Sequence, residues 1–118
     1  QKAPQISGAL YAGEDITAFA PCRINSDGEV VMSDATADND AAKVHGIAAR
    51  GAQEGEPVTL FGPGTRLRHA GSGLTPGATL YLAETAGEFD DAPTTGDSDG
   101  IAFVSSDGED IIFAAYKL

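Results

Sequence analysis

Five Gly-Glu dipeptides divide the chain into short segments, and this spacing of turns limits the possible folds more than any other feature. The dipeptides begin at Gly13, Gly28, Gly55, Gly87 and Gly108, and four of them lead within a few residues into a short apolar or β-branched run. Glycine accepts the positive φ that a tight turn requires, and an acidic neighbour keeps the tip of the turn in water. We therefore expect these dipeptides to mark turns between short β-strands.

The segments between the turns predict an all-β domain of about seven to nine short strands. Helical periodicity is absent, and several runs alternate apolar with polar residues. A chain of 118 residues fits one domain with one core, so we predict a small single-domain barrel or sandwich. The predicted strands are residues 16–24, 30–32, 44–49, 57–61, 65–70, 78–82, 101–104 and 110–116.

Aromatic residues make up 7% of the chain, and it has no tryptophan. The predicted core therefore consists of Val, Ile, Leu and Ala, with four phenylalanines and a few tyrosines adding bulk. Such a core is thin for its length, so oligomerisation would help to stabilise it. The four phenylalanines are Phe19, Phe61, Phe103 and Phe113.

Three other segments are predicted to lie largely outside the strands. Residues 1–12 are mostly small and polar, which predicts an extended N-terminal arm ahead of a domain at 13–118. Residues 33–43 predict a loop with one helical turn, where an aspartate could cap the first amides. Residues 84–100 are acidic and rich in Gly, Pro, Thr and Ser, which predicts a mobile surface crossing anchored by Phe89.

The charge balance disfavours two classes of partner. Eighteen acidic and seven basic residues give a formal net charge of −11, whereas a nucleic-acid binder needs cations to displace phosphate counterions. An anionic membrane surface is disfavoured for the same reason. The acidic surface either keeps the protein soluble or meets a basic partner, and the sequence leaves both open. No run approaches the roughly 20 apolar residues of a membrane span, and the first residues do not resemble a signal peptide.

The residues that could carry chemistry do not form a catalytic pattern. Cys22 is the sole cysteine, which excludes an intrachain disulfide and predicts a buried, inert thiol. His45 and His69 lack a metal-ligand partner at the usual spacing, so ordinary strand or surface histidines are expected. The Asp97-Ser98-Asp99 stretch lacks the further ligands of a helix-loop-helix calcium site. We therefore predict no enzyme activity, no metal site and no cofactor.

One concentration of positive charge stands out. Arg66 and Arg68 flank Leu67 in a predicted strand, so both arginines should project from the outer face while Leu67 points inward. Their guanidinium groups could pair with carboxylates of a neighbouring subunit or another partner. The alternative is that they balance nearby acidic groups of the same chain.

The succession of turns and strands resembles the capsid cement, or head decoration, proteins of tailed bacteriophages. The similarity extends from about residue 12 to residue 116, and its most specific part is the Gly-Leu-Thr-Pro-Gly stretch followed by a tyrosine-containing strand. The segments that carry it are residues 12–16, 27–31, 44–48, 55–59 and 73–82.

This resemblance implies a protein that binds the outside of an assembled icosahedral shell and reinforces it against internal DNA pressure. It implies a homotrimer at threefold or quasi-threefold positions, with the major capsid protein as partner and no catalysis, cofactor or DNA contact. The protein would be made in the host cytoplasm and reside on the outer capsid surface of the virion. The alternative is a fibre, tail or receptor-facing binding module of a virion.

The candidate contacts with the capsid or with other subunits come from two places. An extended arm would gain order on docking, and its apolar residues Ile6, Leu10 and Tyr11 are the expected anchors. Arg66 and Arg68 are the expected polar contacts. The long acidic crossing departs from the family pattern, which leaves the site of attachment open.

Overall fold

Nine short strands form two antiparallel sheets in the computed structural model, which describes residues 10–68 and 75–118. The four-stranded sheet has the order β2-β1-β3-β4 and the five-stranded sheet the order β5-β9-β8-β6-β7. The predicted all-β fold is confirmed. The strands are β1 Pro21–Ile24, β2 Val30–Met32, β3 Gly46–Ala48, β4 Leu60–Phe61, β5 Arg66–Arg68, β6 Thr79–Leu82, β7 Phe89–Asp90, β8 Ala102–Val104 and β9 Asp110–Phe113.

Four of the five Gly-Glu dipeptides lie in turns between strands, as predicted, and their glycines have positive φ. Gly28, between β1 and β2, has φ 83°, and Gly108, between β8 and β9, has φ 71°. Gly13 is needed for another reason: a Cβ at this position would lie 3.0 Å from the Cβ of Glu29. The fifth glycine thus permits a close approach of two chain segments.

The four-stranded sheet carries apolar side chains on both faces. Cys22, Val30, Ala48 and Leu60 lie on one face and pack beneath residues 10–20 and 52–58. Ile47 points to the opposite face, because side chains alternate along a strand. We call the first group the N-terminal cluster; its buried members are Ala12, Ile16, Ala20, Cys22, Val30, Ala48, Val58 and Leu60.

A second cluster joins Ile47 of β3 to the inner face of the five-stranded sheet, and we call it the inter-sheet cluster. Phe113 is its largest fully buried side chain. Backbone hydrogen bonds also tie the sheets together, since Ala35 N donates to Ala83 O at 2.8 Å and Val44 N to Lys117 O at 2.6 Å. The buried members of the cluster are Ala35, Ala42, Val44, Ile47, Leu67, Leu80, Leu82, Ile101, Ala102, Val104, Ile111 and Phe113.

The acidic crossing at 84–100 is fixed from inside by Asp97, which the sequence did not reveal. Its side chain is 2% exposed; Oδ2 accepts from Leu82 N at 2.8 Å and Oδ1 from Gly100 N at 3.0 Å and Asp99 N at 3.2 Å. Phe89 packs against the inter-sheet cluster, which confirms the predicted anchor. The mobility expected of this segment stays a prediction.

The predicted helical turn before β3 is present, although its cap differs from the expected residue. A 3₁₀ helix spans Asp40–Ala42, and the side chain of Asn39, rather than an aspartate, accepts from Ala41 N at 3.0 Å. Asparagine and aspartate both offer a side-chain oxygen that can accept at this position, so the sequence alone could not show which of the two caps the helix.

Candidate interaction surface

The five-stranded sheet buries one face and exposes a row of side chains on the other. Arg66 lies opposite Ile112, Ile112 opposite Phe103, and Phe103 opposite Thr79, so the row crosses four strands. Phe103 is 39% exposed and Ile112 is half-buried. We call this surface the outer face; its members are Arg66, Arg68, Thr79, Tyr81, Asp90, Phe103, Asp110 and Ile112.

The exposure of Phe103 corrects the expectation that all four phenylalanines add bulk to the core. Phe113 is fully buried, but Phe19 and Phe103 are each 39% exposed, and Phe61 is half-buried. In β8 the buried positions go to Ala102 and Val104, which leaves Phe103 on the opposite face. The alternation of Ala102, Phe103 and Val104 in the sequence could have predicted that Phe103 lies on the exposed face.

Arg66 and Arg68 project from the outer face on either side of buried Leu67, as predicted. Both pair with Asp110 of the neighbouring strand: Arg66 Nε lies 2.7 Å from Oδ2, and Arg68 Nε lies 2.7 Å from Oδ1. The contact of Arg66 with Asp110 is a hydrogen bond. The contact of Arg68 with Asp110 is an ion pair only, because the N–H group of Arg68 does not point at Oδ1 as a hydrogen bond requires. Arg68 Nη1 also lies 3.5 Å from Glu109 Oε2.

The turn between β8 and β9 extends this charged group. Arg66 Nη2 donates to Asp107 Oδ2 at 3.1 Å, while Asp107 Oδ1 accepts from Ser105 Oγ at 2.5 Å and from the backbone N–H groups of Glu109 and Asp110. The Ser105 hydrogen bond, followed by these two amides, holds the pKa of Asp107 well below its usual range. Asp107 therefore stays ionised and orders the turn. The alternative considered for the arginines, charge balance within the chain, matches these contacts, and contact with another chain stays a prediction.

The candidate arm residues lie partly in the domain. Leu10 O accepts from Val58 N at 2.9 Å, and Leu10 packs against the N-terminal cluster. Tyr11 bridges to Pro57 and accepts from Val30 N, yet its side chain is 51% exposed. Ile6 and the rest of residues 1–9 lie outside the described residues, so the arm and the boundary drawn for it stay predictions.

An open surface cavity lies beside β5 and β7. It has a volume of about 510 Å³ and is lined by Ala18, Phe19, Leu67, Arg68, Gly87, Glu88 and Phe89. Phe19 has φ 65°, a left-handed conformation that is unfavourable for a residue with a side chain. The turn around it is held by Phe19 N donating to Ala48 O at 2.9 Å.

The described cysteine and histidine side chains are enclosed by the fold or hydrogen-bonded to its backbone. Cys22 is buried, as predicted, and burial raises the pKa of its thiol to about 12, which disfavours the reactive thiolate. Burial lowers the pKa of His45, whose Nδ1 accepts from Ile24 N at 2.9 Å. His69 lies outside the described residues. Across residues 10–68 and 75–118, no group of three His, Cys, Asp or Glu side chains could hold a metal ion.

Comparison with known proteins gives a similarity of fold. The chain matches no protein-family model and no curated protein. It is similar to the solved structure of the N base of head fiber gp8.5 in bacteriophage phi29, with 16% identity and a TM-score of 0.58 over 97% of this chain and 98% of that chain. At this identity, the similarity shows a shared fold. Within the part of the chain that the structure describes, no helix is long and apolar enough to cross a membrane.

Proposed function

We propose that this chain is a structural protein of a bacteriophage head, which binds the outer surface of the assembled capsid and stabilises it. It acts as a homotrimer at threefold or quasi-threefold positions, with the major capsid protein as its partner. The observation that carries the phage-head part of this proposal is the similarity to a phage head fiber base over almost the full length of both chains. The decoration role, the homotrimer and the capsid partner follow from the resemblance of the turns and strands to capsid cement proteins.

The surroundings of the reactive groups support a structural role without catalysis. Cys22 is enclosed in the N-terminal cluster, and His45 accepts a backbone hydrogen bond. The exposed features are instead a sheet face with an aromatic side chain and a group of paired charges. Such a surface suits the binding of another protein better than the turnover of a substrate.

A second candidate function is the base of a head fibre or another receptor-facing module. The name of the structural neighbour favours it, because that protein is itself a head fiber base. The two functions differ in what the chain carries: a decoration protein reinforces the shell, whereas a fibre base holds an appendage that reaches outward.

Cryo-electron microscopy of phage heads tests the proposal. Heads assembled without this protein would be incubated with the purified chain, and their thermal stability would be compared with that of untreated heads. We expect additional density at threefold or quasi-threefold positions together with a higher temperature of DNA release. Failure to bind, or binding at another position without a change in head stability, would contradict the decoration role.

A further inference from the structure

We propose that the outer face of the five-stranded sheet is the surface through which copies of this chain bind each other. This inference rests on the multimer in the proposed function and adds the location of its contact. The partner is a second copy of the same chain, and the central residue of the contact is Phe103.

The first argument is the unequal coverage of the two sheets. The N-terminal cluster covers one face of the four-stranded sheet, and the inter-sheet cluster lies between its other face and the five-stranded sheet. Within the described residues, the outer face has no such cover. It nevertheless carries Phe103, Ile112 and Tyr81, and an exposed apolar patch of this kind is typical of a protein interface.

The second argument is the distribution of charge. The outer face and its adjoining turn hold two arginines and four carboxylates, Asp90, Asp107, Glu109 and Asp110, a net charge of −2. Two of the chain's seven basic residues, Arg66 and Arg68, thus lie side by side with carboxylates on this one face. Two copies of so acidic a chain repel each other, and a contact in which arginines of one copy face carboxylates of the other offsets part of that repulsion.

The third argument is that the charged group is complementary to itself. Arg66 and Arg68 already pair with Asp110, so packing against a second copy does not leave an unpaired charge in the contact. The exposed carboxylates of Asp107 and Glu109 in one copy can accept from the remaining N–H groups of the arginines in another. A basic partner would bring further cations against Arg66 and Arg68, whereas a second copy offers them carboxylates, which favours a second copy here.

Sedimentation of the purified chain, without capsids, tests the inference. We expect the wild-type protein to associate in a concentration-dependent way, and Phe103→Asp to weaken this association at least tenfold. Thr79→Arg, which leaves Phe103 in place but puts a bulky charge beside it, should have the same effect. Leu118→Asp is the matched control, since Leu118 is 84% exposed and lies outside the outer face. Its association should equal that of the wild type.

Ionic strength gives a second measurement. Added salt screens the repulsion between the acidic copies more than it weakens an apolar contact, so we expect wild-type association to become stronger. Thermal unfolding followed by circular dichroism shows whether each variant folds. A wild-type chain that stays monomeric, or folded Phe103→Asp and Thr79→Arg variants that associate like Leu118→Asp, would overturn the inference.

Binding to capsids by the same variants separates this inference from the proposed function. If copies associate through the outer face but do not bind heads, the inference holds and the decoration role fails. If Phe103→Asp associates normally yet loses binding to heads, the outer face belongs to the capsid contact, and the inference is wrong.

Discussion

At the scale of single residues, Phe19 holds a backbone conformation that residues with a side chain avoid. Its φ of 65° places it in a turn where Ala20 N donates to Thr17 O at 3.3 Å, and glycine is the usual residue at such a position. A left-handed conformation costs an L-residue roughly 1–2 kcal/mol. Despite this unfavourable conformation, Phe19 is present at this position, and its aromatic ring lies at the edge of the surface cavity.

Two substitutions separate the backbone strain from the contribution of the ring. Phe19→Ala and Phe19→Gly both remove the ring, but Gly alone also relieves the strain. We expect Phe19→Gly to be more stable than Phe19→Ala by about 1 kcal/mol in urea unfolding. Equal stability of the two variants would show that the left-handed conformation is not maintained in solution.

At the scale of elements, Asp97 connects the acidic crossing to β6. Its carboxylate accepts three backbone N–H groups, from Leu82, Asp99 and Gly100. In addition, Thr94 Oγ1 donates to Leu82 O at 2.7 Å. The neighbouring Gly96 fits tightly, since a Cβ there would lie 2.7 Å from Ala37 O. The segment is therefore held by specific contacts despite its loop-like composition.

Replacement of Asp97 should destabilise the whole fold. Asp97→Ala leaves three backbone donors without their acceptor in a buried site, and we expect the free energy of unfolding to fall by roughly 2–4 kcal/mol. Asp99→Ala is the control, because this exposed side chain should change the free energy by less than about 0.5 kcal/mol. Similar losses from both variants in chemical denaturation would refute the role of Asp97.

Strands and turns could be predicted from the sequence because their signals are local. The alternation of Arg66, Leu67 and Arg68 gave the correct face of β5, since the period of two acts within three residues. Asp97 could not be identified, because its partner Leu82 is fifteen residues earlier and the surrounding composition resembles a loop. The pairing of the arginines with Asp110 was hidden for the same reason, as only the sheet order brings β5 beside β9.

At the scale of the whole molecule, residues 10–12 pack against the rest of the chain at the point where they lead to the predicted arm. Ala12 N donates to Glu56 O at 2.9 Å, and Ala12 is buried in the N-terminal cluster. Any contact made by residues 1–9 is therefore connected directly to the packed core. The part of the arm next to residue 10 would therefore have little freedom to move, because the chain is fixed at that point.

Removal of residues 1–9 should leave the stability of the fold unchanged but weaken binding to phage heads. Because the buried members of both clusters lie between Ala12 and Phe113, we expect the truncated chain to unfold at nearly the same temperature as the full chain. We expect its occupancy on heads to fall several-fold, since the predicted anchor Ile6 is lost. The measurement is occupancy by quantitative gel analysis of purified heads, and Lys2→Ala in the full chain is the control. Unchanged occupancy of the truncated chain would contradict a binding role for the arm.

The backbone hydrogen bonds between Val44 and Lys117 also bear on how the protein unfolds. Val44 precedes β3 in one sheet and Lys117 follows β9 in the other, and each donates a backbone hydrogen bond to the other. Val44 is also a member of the inter-sheet cluster. Loss of either sheet would therefore remove both a hydrogen-bonding partner and an apolar cover from the other. We therefore expect the two sheets to unfold together in a single cooperative transition.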